Sequence, residues 1–157
     1  MKDMVRLAAA LLALTAPASA QIARVDTADV RACLVGAPAD AGPPACAGEA
    51  ARACRMRPGG DTTLGIADCL MAETQVWTGL MRAELRRREE ELGRERPELV
   101  TDLEAAQRAW VAYRDAECGL RYAIWIKGSI RTIVAGLCHL RKTAARALEL
   151  RHQGGMR

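Results

Sequence analysis

The sequence predicts an all-α fold, a disulfide-stapled antiparallel helical bundle with three long helices and two short N-terminal ones. Three observations predict it. The chain is rich in Ala, Leu and Arg, and its Gly and Pro gather at a few boundaries, the pattern of helices joined by short turns. Apolar residues recur in steps of three and four along three long segments, and no β-strand pattern occurs. Six cysteines fall into three pairs, and each pair straddles a helix-breaking segment.

Cys33 and Cys46 flank Gly36-Ala37-Pro38 and Gly42-Pro43-Pro44. Cys54 and Cys69 flank Pro58-Gly59-Gly60-Asp61, and Cys118 and Cys138 lie equally far from Gly128. In an antiparallel hairpin, residues equidistant from the turn come to the same height, where their Cβ atoms approach to disulfide distance. Of the fifteen pairings open to six cysteines, this symmetry selects Cys33–Cys46, Cys54–Cys69 and Cys118–Cys138. An even set of local staples points to an oxidising compartment.

The N-terminus agrees. Lys2 and Arg6 precede an apolar run from Leu7 to Leu14, and Ala18-Ser19-Ala20 supplies the small-x-small pattern of a cleaved signal peptide. The run is too short to span a bilayer. No cysteine follows it closely enough to carry a lipid anchor, and no later segment is suited to cross a membrane. Residues 1–20 are therefore expected to be removed after Ala20, leaving a periplasmic or secreted chain. Residues 21–53 form an extension carrying Cys33 and Cys46, 54–151 the main helical domain and 152–157 a tail. Loss of Lys2, Arg6 and Asp3 lowers the formal charge from +4 to +3. Arginine is spread along every helix rather than clustered with aromatics, which argues against a nucleic-acid partner. With no Phe and three Trp, the core is thin, and cross-links compensate for that.

Taken in order, short helices are expected over Asp26–Val35 and Ala45–Met56. A long helix follows from Thr62 to Leu92, with Asp61 as its N-cap and Gly93 at its end. Pro97 suits the first turn of a helix reaching Ile126, and Ser129 opens the last, which runs to Arg151. Leu99, Leu103, Ala106, Trp110, Tyr113, Glu117, Leu120 and Ile124 form a heptad-like stripe on the fourth helix. Ile66, Leu70, Glu73, Trp77, Leu80 and Glu84 form one on the third. Ile130, Val134, Leu137, Ala144 and Leu148 form the matching face of the last.

Glu73 and Glu117 interrupt these stripes as buried carboxylates. Desolvation can turn such a group into an acid/base catalyst, but the favoured reading is structural, with each paired to an inward arginine and Arg114 the nearest. On that reading Arg114→Met strands a buried charge and costs about 3–5 kcal/mol. The two histidines, His139 and His152, have no metal-ligand spacing, and the cysteines are committed to disulfides, so neither metal nor cofactor is expected. No Ser-His-Asp or Cys-His set is visible, and Trp77 and Trp110 read as core. Enzymatic activity is not expected.

The most specific stretch runs from Gln107 through Trp110, Tyr113, Arg114, Asp115 and Glu117 to Cys118, followed by Gly128-Ser129, Cys138, Thr143, Arg146 and Leu150. This pattern resembles the LprI-like lysozyme-inhibitor family of exported bacterial proteins. The Cys54–Cys69 segment, with Glu73 and Trp77 after it, resembles the front half of that domain. Where members often read W-D-x-x-L-N-x-x-Y, this chain has Trp77-Thr78, Arg82 and Leu85. The resemblance implies a small helical domain without catalysis and with a protein partner, lysozyme foremost. The alternative is an envelope interaction module that shares the fold and does not inhibit lysozyme. The sequence sets no oligomeric state.

The turn Ile126-Lys127-Gly128-Ser129-Ile130 is the candidate partner-binding loop. Its cation and flanking apolar residues suit a cleft with paired carboxylates, as in a lysozyme. The structural alternative makes Gly128 a left-handed C-cap, Ser129 the next N-cap and Lys127 a favourable charge at a helix C-terminus.

Overall fold

The computed structural model describes residues 24–39 and 42–153. Five α-helices follow one another: α1 (Thr27–Gly36), α2 (Glu49–Arg55), α3 (Thr63–Glu95), α4 (Val100–Ile124) and α5 (Arg131–His152). The expected signal peptide and the last residues of the tail, 154–157, lie outside the described residues. Among the described residues there is no strand, and no helix is long and apolar enough to cross a membrane.

Local chemistry explains where the helices begin and end. Asp26 caps α1 by accepting a hydrogen bond from Ala28 N at 2.8 Å. Thr62, rather than the expected Asp61, caps α3, its hydroxyl accepting from Gly65 N at 3.0 Å. Gly93 does not stop α3. A mid-helix glycine costs only about 1 kcal/mol, and the helix continues to Glu95. The break comes at Arg96, because the following Pro97 disfavours helical backbone at the residue before it. Pro97–Leu99 then makes a 3₁₀ turn that leads into α4.

At 33 residues, α3 is the spine, roughly 50 Å long. α5 lies parallel along it in the most extensive helix–helix contact of the molecule. Gly136 meets Leu70 near one end, and Arg151 reaches Glu84 toward the other. α4 runs antiparallel between them in sequence, packs mainly on α5 and touches α3 only sparingly. α1 and α2 cover another side of α3. The core gathers Trp77, Met81, Leu140, Ala144, Ala147, Leu148 and Leu150 with Val30 and Leu34 of α1. Alanines on α5 let its backbone approach α3 closely, so Trp77 is fully enclosed.

The three disulfides pair as the hairpin symmetry predicts, with Cα–Cα distances of 5.9, 5.8 and 5.6 Å for Cys33–Cys46, Cys54–Cys69 and Cys118–Cys138. The α3 stripe also faces inward as expected. The α4 stripe is a correction. The packed side of α4 carries Leu103, Gln107, Trp110, Arg114, Cys118 and Tyr122, while Tyr113, Leu120 and Ile124 are exposed. A straight helix drifts about 20° per heptad from a strict seven-residue repeat. A stripe that starts correctly at Leu103 and Trp110 therefore rotates out to solvent by Ile124. On α5 the corresponding slip leaves Ile130 and Leu137 exposed, while Leu140 and Ala147 are buried.

Candidate functional site

Two clusters gather the residues that the sequence singles out. The first is built on Glu73. Gly48 precedes α2 with a φ of 105°, in the left-handed region that favours glycine, and it has no side chain to cap the helix. Glu73 supplies the cap from α3. One carboxylate oxygen accepts from Gly48 N at 2.7 Å and from Trp77 Nε1 at 2.9 Å, and the other accepts from Ala51 N at 2.7 Å. The carboxylate is 1 % exposed. The positive end of a helix and three N–H donors thus stand where an arginine was expected.

The second cluster joins α4 to α5. Trp110 is flanked by two guanidinium groups, Arg114 at 5.2 Å and Arg146 at 5.9 Å from the ring centre. Arg146 donates to Gln107 Oε1 at 3.0 Å and to Glu149 at 2.7 Å, while the Gln107 amide reaches Met81 Sδ on α3. Arg114 donates to Asp115 at 2.9 Å and to Thr143 Oγ1 at 3.4 Å. Lys142 sits over Tyr113 and donates to its hydroxyl at 3.0 Å. Cys118–Cys138 closes the layer. Gln107, Trp110, Tyr113, Arg114, Thr143 and Arg146 thus make contacts that join α4 to α5.

Arg114 contacts neither Glu73 nor Glu117, which corrects that expectation. Glu117 is half-buried rather than enclosed, and it pairs with Arg121 one turn along its own helix at 2.9 Å. The buried carboxylate with arginine partners is instead Glu84, which takes Arg87 at 2.8 Å and Arg151 at 2.9 Å. Arg87 also donates to the carbonyl oxygen of Arg151 at 2.9 Å, tying down the last turn of α5. The signal for Glu84 was its place in the α3 stripe, seven residues after Trp77. His139 lies 3.9 Å from Asp115. Burial and the nearby Arg114 cation hold its pKa below the ordinary histidine value, opposed in part by Asp115. Among the described residues no group of His, Cys, Asp and Glu is placed to hold a metal ion.

The candidate loop is exposed, but its structural alternative does not hold in detail. Gly128 is not left-handed, and Ser129 does not cap α5, whose N-cap is Ile130 without a side-chain cap. The turn is closed instead by Gly128 N donating to Trp125 O at 2.8 Å. Arg131 donates from Nη1 to Gly128 O at 3.0 Å and from Nε to the Tyr122 hydroxyl at 2.9 Å.

A stapled helical domain with a carboxylate-capped short helix and a Trp–Arg–Thr layer between its last two helices is the class that this geometry defines. The chain belongs to the Lysozyme inhibitor LprI family, which matches residues 54–150. It is also 32% identical over 151 residues to an uncharacterized 17.7 kDa protein in the puhA 5' region of Rhodobacter capsulatus, covering 89% of this chain and 91% of that one. No solved structure matches.

Proposed function

We propose that this is an exported, non-catalytic binding protein of the lysozyme-inhibitor type. The observation that carries the reading is that family membership coincides with a motif whose polar groups are already engaged. Both oxygens of Glu73 accept hydrogen bonds within the fold, and Arg114, Gln107 and Arg146 hold α4 to α5. Such groups support a rigid binding surface better than proton transfer. Three disulfides and the N-terminal pattern of residues 1–20 support export into an oxidising compartment. The concentration of the motif on α4 and α5 supports a partner surface on that hairpin.

The test is a cell-wall lysis assay with lysozyme and the purified protein. Slower lysis supports the reading, and an unchanged rate across a wide excess of protein overturns it. Lys127→Glu at the hairpin's end and Lys142→Glu on its flank locate the contact. The alternative, an envelope module without lysozyme inhibition, is favoured by one observation. Without residues 1–20 the chain keeps a formal charge of +3, and a basic chain is a poor electrostatic match for a basic lysozyme.

A further inference from the structure

The α4–α5 hairpin has an unusual distribution of charge. Between Glu117 and Glu149 the chain has no Asp or Glu, while it carries six Arg and Lys residues. Among the described residues, six of the eleven exposed large apolar side chains lie in the same stretch. Leu120, Ile124, Trp125, Ile126 and Ile130 are all open to solvent, Ile124 by 67 % and Trp125 by 49 %. The parallel register that sets Gly136 against Leu70 also puts the exposed Leu64 of α3 at the height of Ile130. The helix bounds and this register put these side chains toward one end of the bundle, together with Arg121, Lys127 and Arg131.

We propose that this end is a docking element for an anionic lipid bilayer. The chemistry matches on three counts. Isoleucines and leucine offer apolar surface to the acyl boundary, and tryptophan favours the headgroup level. Lys127 and Arg131 meet negative headgroups, while Arg121 is shared with Glu117, the nearest carboxylate on α4. α5 begins at this end with neither a side-chain cap nor an acidic residue in its first turn, so its positive pole adds to the field. Cys118–Cys138 clamps the two helices about two turns behind the end, which therefore needs little ordering on contact. The apolar residues run from the last turns of α4 through the turn to the N-cap of α5, with Leu64 at the same height on α3, a breadth that suits a flat surface better than a cleft. The inference does not depend on lysozyme inhibition.

The test is cosedimentation of the purified exported protein with vesicles of phosphatidylcholine alone, or of phosphatidylcholine and phosphatidylglycerol in equal parts. Binding to the mixed vesicles only is expected, weakening as salt rises. A blue shift of tryptophan fluorescence should accompany it. Trp77 is fully buried and Trp110 half-buried, so the shift reports Trp125. Lys127→Glu should lower vesicle affinity by on the order of thirtyfold, from about 1 kcal/mol per unit of charge at an anionic surface. Ile126→Ser should weaken it with the helical circular dichroism unchanged, since both side chains are exposed. Equal binding to both vesicle types, no spectral shift, or variants that bind like the parent would overturn the proposal. So would an end that captures lysozyme while the protein ignores vesicles, which assigns the end to a protein partner. Vesicle binding without slower lysis keeps this proposal and removes the lysozyme reading.

Discussion

Glu73, a third of the way along α3, caps α2 across the bundle at Gly48, a residue with no side chain to cap its own helix. This contact fastens the short helix to the spine in parallel with the Cys54–Cys69 bridge. It also explains why a carboxylate is tolerated with 1 % exposure in an apolar stripe.

Glu73→Gln should destabilise the fold by roughly 2–3 kcal/mol, since an amide NH₂ would face one of the backbone N–H donors and the charge at the helix end is lost. Urea unfolding followed at 222 nm measures it. A change under about 0.5 kcal/mol, the ordinary range for a surface substitution, would show that the cap is not needed.

Arg114→Met should cost about 1 kcal/mol rather than the larger penalty of a stranded buried charge. Its carboxylate partner Asp115 is exposed, so the loss is limited to the Thr143 hydrogen bond and the stacking on Trp110. Glu84→Leu is the contrasting variant. It leaves Arg87 and Arg151 without their shared carboxylate, and the same unfolding experiment should give it the larger loss.

Replacing both Cys118 and Cys138 by Ala should lower stability by roughly 3 kcal/mol in the chain-entropy model, for a bridge closing a separation of 20 residues. Peptide mapping of the non-reduced protein checks the connectivity itself. A fragment joining Cys69 to Cys118 would contradict the fold.

His139 gives stability a pH dependence of definite sign. Its pKa is lowered in the folded state, first by burial and then by Arg114, with Asp115 opposing. The unfolded chain therefore takes up a proton more readily. Stability contributed by neutral His139 is complete above the ordinary histidine value near 6.5 and declines as pH falls through it toward the lower folded value. Unfolding free energies between about pH 8 and 5 should fall with acidity, and His139→Gln should flatten that slope. An equal slope in the variant would assign the dependence to other groups.

The existence and order of the helices and the pairing of the cysteines were legible in the chain, because both are written in local patterns. Proline at Pro97 ends one helix and begins the next turn whatever lies around it, and hairpin symmetry about Gly128 brings Cys118 to Cys138 without reference to other elements. Tertiary structure decided everything that depends on which face of a helix meets which neighbour. The stripe from Leu99 to Ile124 shows the reason. About 10° of drift per turn is invisible in spacing, yet it accumulates until Ile124 points to solvent and Tyr122 packs. Glu73 shows it again. A buried carboxylate in a stripe is legible as a residue seeking donors, but backbone N–H groups at the start of another helix leave no mark in composition, whereas arginine does. Only the packing of α2 on α3 brings Gly48 and Ala51 within reach of the carboxylate.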